Sequence, residues 1–183
     1  MRLQDLLTEI QLGSAAPYTT QFVWQERRIH SNMVYTAEFD AAGTNVLVRI
    51  QGSTWYPEEQ EGPEYNFSYW IPNTTGFDRA FTYSHDLAAD TQINYFRLMN
   101  TMGEAILDFC AQYSPAAIDV TGDDMDPDRA RQKTRIYANL LRQNASRLAA
   151  AGYDVLQTGR KLEIVRNTRF DSTGIDTPDN PDM

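Results

Sequence analysis

The sequence predicts an α+β fold in a single domain: an antiparallel meander of about four strands, then a helix, a strand, a second helix and a closing β-hairpin. Three observations predict it. Apolar residues alternate with polar ones through much of the first 70 positions, two long stretches after position 90 repeat apolar residues at helical spacing, and turn formers divide the segments. The length of 183 residues suits one domain. Hydrophobic content of 42% and aromatic content of 11% exclude a disordered chain, because that much apolar surface has to be buried.

Residues 1–12 read as an N-terminal amphipathic helix, since Leu3, Leu6, Leu7 and Ile10 share a helical face and Gly13 stops the pattern. The main domain is expected over residues 13–170. Its first strands follow from period two: Phe22 and Trp24, then Met33, Tyr35, Ala37 and Phe39, then Val46, Val48 and Ile50. Ile29-His30-Ser31-Asn32 and Asp40-Ala41-Ala42-Gly43-Thr44 have hairpin-turn length and chemistry. An acidic loop bounded by Pro57 and Pro63 leads to a fourth strand, Tyr65–Trp70, and an irregular connection covers 72–90.

From Thr91 to Tyr113 the apolar face Tyr95, Met99, Met102, Ile106, Phe109 and Tyr113 predicts a helix, which Pro115 stops. A short strand follows at 116–120. Asp126 as cap, Pro127 in the first turn and Gly152 as the stop delimit a second helix. Tyr153–Gln157 and Lys161–Val165 flank a Gly-containing turn and close the domain as a hairpin. The last residues, 171–183, are polar, rich in turn formers and acidic, and read as a flexible tail.

Bulk chemistry removes several classes of function. No apolar run reaches the ~20 residues a membrane helix needs, so no membrane association is expected. Cys110 is the only cysteine, which rules out an internal disulfide and a cysteine-rich zinc site. A net charge of −9 argues against direct nucleic-acid binding, which favours a basic face. Asp171, Asp176, Asp179 and Asp182 in the tail supply four of those negative charges.

No catalytic constellation, cofactor motif or metal site is legible. Asp124, Asp126 and Asp128 echo the opening of a calcium loop, but Arg129 and Arg135 stand where its Gly and final acid are required. Those acids read instead as favourable charges at a helix N-terminus. His30 and His85 lie far apart, and Cys110 adjoins an apolar face where a thiol is inert. The candidate partner-binding residues are Arg129, Arg131, Arg135 and Arg142 on the second helix, Trp55 and Tyr56 beside the acidic loop, and Asp176 and Asp179 in the tail. A helix carrying guanidinium groups and one acid can hold an acidic partner, and the chain's own tail is an internal candidate.

The segments Arg97-Leu98-Met99-Asn100-Thr101-Met102, Ile106-Leu107-Asp108-Phe109, Pro115, Ile118-Asp119-Val120, Arg135-Ile136-Tyr137-Ala138-Asn139-Leu140 and Ala151-Gly152-Tyr153 together resemble a recurring pattern. It is that of an uncharacterised family of small tailed-bacteriophage proteins, and the resemblance covers residues 91–166. It implies a non-enzymatic virion or virion-associated protein that contacts other virion proteins or itself, in the virion or the host cytoplasm. Met1 to Ile10, with Leu7-Thr8-Glu9, is also similar to the leaders that target internal proteins into phage heads. The order of elements is similar to the GNAT acyltransferase fold, implying as the alternative an acyltransferase or small-molecule-binding protein. Those enzymes open their central helix with a Q/R-x-x-G-x-G/A turn that cradles pyrophosphate. This chain has Asp90-Thr91-Gln92-Ile93-Asn94 there, so an acyl-coenzyme A site would be degenerate.

Overall fold

A computed structural model describes residues 15–30, 32–52, 64–70, 93–120, 127–159 and 161–167. Its strands are β1 (Gln25–Ile29), β2 (Asn32–Ala41), β3 (Thr44–Gly52), β4 (Glu64–Trp70), β5 (Ala117–Asp119), β6 (Tyr153–Thr158) and β7 (Lys161–Arg166). They form one seven-stranded sheet in the order β1-β2-β3-β4-β5-β7-β6. All neighbours are antiparallel except β4 and β5, which are parallel. Among the described residues there are two helices, α1 (Tyr95–Tyr113) and α2 (Pro127–Ala150), which with the sheet make an α+β architecture.

Period two decides which face of the sheet is covered. Tyr35, Ala37 and Phe39 of β2 pair with Ile50, Val48 and Val46 of β3, and Ile50 pairs with Phe67 of β4, so these side chains share one face. That face continues through Ile118, Ile164 and Leu162 and packs against Leu98, Met102, Ile106 and Phe109 of α1 and Leu140, Leu141 and Leu148 of α2 in one core. The opposite face carries Thr36, Glu38, Arg49, Gln51, Asn66 and Ser68.

α1 and α2 lie side by side at Gly103, where an added Cβ would meet Asn144 Nδ2 at 2.7 Å and Leu140 Cδ1 at 3.2 Å. Arg147 of α2 grips Glu104 of α1 through both terminal guanidinium nitrogens, at 2.5 and 2.7 Å. Ser114 ends α1 in the left-handed region at φ 46°, immediately before Pro115, and Gly152 follows α2 at φ 85°.

Two expectations require correction. Phe22 and Trp24 are not in a strand: the first strand is β1, all five of whose residues are exposed. Residues 15–24 form an extended strap along α1. Asn100 Nδ2 donates to Ala15 O at 2.5 Å, Tyr18 N donates to Thr101 Oγ1 at 2.8 Å, and Trp24 Nε1 donates to Asp108 Oδ2 at 2.7 Å. Phe22 stacks on Trp24 and meets Phe39 edge-on, so the alternation reflects burial against the core without a ladder partner. The second correction is the start of α1 at Tyr95. Asn94 stays extended at φ −79° and ψ 113°, and its Oδ1 accepts from Arg97 N at 3.1 Å as an N-cap. The N-terminal helix, the acidic loop, the 72–90 connection, the Asp126 cap and the tail fall outside the described residues.

Candidate functional site

The parallel junction is where the sheet opens. β4 and β5 share three pairs, Glu64↔Ala117, Tyr65↔Ile118 and Asn66↔Asp119. Beyond Asn66, β4 runs on to Trp70, whereas Val120 turns its N–H to Leu162 O at 2.8 Å and follows β7. α1 leads from β4 into β5 and α2 leads out of β5, so both helices begin on the side toward which the parallel strands point.

Three phenols converge at this opening: Tyr69 from the end of β4 that pairs with β3 but not with β5, Tyr95 from the first turn of α1 and Tyr137 from α2. Burial raises all three pKa values, Tyr137 to about 12, and their mutual repulsion as phenolates raises Tyr69 and Tyr95 further. A side-chain hydrogen bond links the Tyr69 and Tyr137 hydroxyls. Phe67 meets the Tyr137 ring edge-on at 6.4 Å, and Phe96 meets Tyr95 at 6.0 Å. At neutral pH this cluster holds neutral phenols and apolar rings. It can stack on a ligand and hydrogen-bond to it, but it supplies no base.

At the start of α1, which borders the cluster, three backbone donors have partners. Asn94 N donates to the Tyr18 hydroxyl at 2.9 Å, Arg97 N to Asn94 Oδ1, and Leu98 N to Asn94 O at 2.9 Å. The Arg97 guanidinium lies 4.3 Å from the Tyr18 ring centroid and donates to Ala16 O at 3.0 Å and Pro17 O at 3.4 Å. The strap therefore occupies groups that an anion at a helix N-terminus would use.

Of the residues singled out from sequence, Arg131, Arg135 and Arg142 come together on one exposed stripe of α2, opposite the buried row Ile136, Leu140 and Leu148. Arg131 lies 3.7 Å from Asp128, and Arg142 Nη1 donates to Asn139 Oδ1 at 2.8 Å. Arg129 belongs to α2, but its side chain is outside the described residues, as are Trp55, Tyr56, Asp176 and Asp179. Cys110 is buried and its thiol is pushed up to about 12 by burial, and His30 is exposed in the turn after β1. Among the described residues, no three His, Cys, Asp or Glu side chains come together as metal ligands, and no helix is long and apolar enough to cross a membrane.

The tyrosine cluster was missed from sequence because its members lie on three elements that only the topology brings together. The strap was missed because one period-two pair, Phe22 and Trp24, reads the same whether or not a strand partner exists. Comparison with protein-family models, curated proteins and solved structures finds no match for this chain.

Proposed function

We propose that this chain is a non-enzymatic tailed-phage protein, a component of the virion or a factor bound to it, acting through protein–protein contacts. The setting comes from the resemblance over residues 91–166. The observation that carries the non-enzymatic part is the start of α1, where the Asn94 N–H is held by the Tyr18 hydroxyl of the strap and the Arg97 N–H by Asn94 Oδ1. The strand order, the short parallel junction and the two helices support a GNAT-like topology for the sheet. In a GNAT enzyme the corresponding helix start receives the pyrophosphate of acyl-coenzyme A. Here the cap chemistry and the missing glycine-rich turn oppose that use. The exposed Arg131, Arg135 and Arg142 are the surface on which an acidic protein segment would dock.

Mass spectrometry of purified particles tests the reading, and the chain is expected among the virion proteins. Its absence from particles removes the virion assignment. A second reading has its own observation, the Tyr69, Tyr95 and Tyr137 cluster at the sheet opening, which suits a small aromatic or acyl ligand. Acetyl-coenzyme A at 100 times its dissociation constant would stabilise a binding protein by about 2.7 kcal/mol. No change in melting temperature is expected; a rise of several degrees would replace the first reading with the second.

A further inference from the structure

We propose that two copies of this chain pair antiparallel along β1, joining their sheets edge to edge into one continuous sheet. β1 stands first in the strand order with β2 beside it, so among the described residues the other side of its backbone has no ladder partner. Its five residues, Gln25 to Ile29, are all exposed, and the apolar Val23 just before it is exposed as well. Charge protects an open edge from its own kind when like meets like. Glu26, Arg27 and Arg28 instead carry both signs, which makes the edge complementary to a second copy of itself.

Symmetry and charge together select the register. A twofold axis normal to the sheet keeps each side chain on its own face, so the pair has to be centred on one residue. Centred on Glu26 it opposes two carboxylates, and centred on Arg28 it opposes two guanidinium groups. Centred on Arg27 it uses all five residues of both strands and sets Glu26 against Arg28 of the second copy twice over. Glu26 and Arg28 pair with Tyr35 and Met33 of β2, so both lie on the face that packs against the helices. There the Tyr113 hydroxyl at the end of α1 hydrogen-bonds the Glu26 carboxylate and holds it at the edge. Arg27 pairs with Val34 and lies on the other face, where the single like-charged contact falls. Two favourable pairs outweigh one unfavourable pair between long exposed side chains. Five residues from each strand make a small contact, so the dimer is weak and forms with rising concentration. It does not depend on the virion reading, because it needs no other phage component.

Sedimentation velocity on the full chain tests the contact. At low salt and concentrations on the order of 100 µM, the mass is expected to rise from 20.9 kDa toward twice that value. About 0.5 M salt should reverse the rise by screening the charges. Glu26→Arg alone leaves four basic groups at the facing positions and Arg28→Glu alone leaves four acidic ones, so each variant is expected to dimerise at least about tenfold more weakly. Mixing the two variants in equal amounts brings two basic groups against two acidic ones, and the dimer should return to near the original strength. That recovery also shows both variants to be folded, and equal far-ultraviolet circular dichroism provides a second check. A monomer at every concentration, a dimer that neither variant weakens, or folded variants whose mixture stays monomeric would each overturn the proposal.

Discussion

Gly103 is the described glycine where an added Cβ would be most crowded, between α1 and α2. A methyl group there would sit 2.7 Å from Asn144 Nδ2, and that amide is held by its own bond to Leu140 O at 3.0 Å. Helix propensity alone favours Ala over Gly by about 1 kcal/mol. Overpacking of this kind costs about 1–3 kcal/mol, so the steric effect wins. Gly103→Ala is expected to lower stability by about 1 kcal/mol in urea unfolding. Adding Asn144→Ala should restore it, because the second change removes the atom in the way. Equal stabilities for the single and double variants would show that Asn144 is not the obstacle. Neither residue announces this role in the sequence, where a lone Gly inside a helical pattern signals only a weaker helix.

The strap is the element whose value the sequence hides. It has no ladder partner, yet Tyr18 and Phe22 are both 8% exposed and belong to the core, while Val23, next to Phe22, is 70% exposed. Phe22→Ala is expected to cost about 3 kcal/mol, as for other buried aromatic truncations. Val23→Ala should cost under about 0.5 kcal/mol, in line with ordinary surface substitutions. Comparable losses for the two in thermal or denaturant unfolding would mean that the strap is not anchored as described. By contrast, α2 and the β6–β7 hairpin were legible because their limits are written in local chemistry: Pro127 and Gly152 for the helix, the Thr158–Lys161 turn for the hairpin. β1 was not, since Gln-Glu-Arg-Arg-Ile has no apolar alternation and takes its place from pairing with β2. The link between the helices adds little energy. Glu104 and Arg147 are 35% and 54% exposed, and pairs of that kind contribute about 0.2–1 kcal/mol.

For the whole molecule, the order of elements was readable, while the site was not, because Tyr69, Tyr95 and Tyr137 meet only once the crossover from β4 to β5 is made. Their burial ties folding to alkaline pH. Each phenol has a folded pKa above its ordinary value of 10.0, so the unfolded chain ionises first. This stability is fully present below about pH 10 and is lost as pH rises toward the folded value, about 12 for Tyr137. Titration followed at 295 nm is expected to show these tyrosines ionising together with the loss of far-ultraviolet circular dichroism. Ionisation of every tyrosine near pH 10 with the circular dichroism intact would contradict their burial. The three-residue strand β5 has another consequence, for the tempo of folding. The β1–β4 meander and the β6–β7 hairpin pair locally and can form quickly, whereas β5 joins them only after each helix has closed a long stretch of chain. Until Ala117, Ile118 and Asp119 are seated, β4 and β7 each present an open strand edge to other molecules. The interval before that seam closes is when the chain is most exposed to misassembly, and any condition that slows it lengthens the risk.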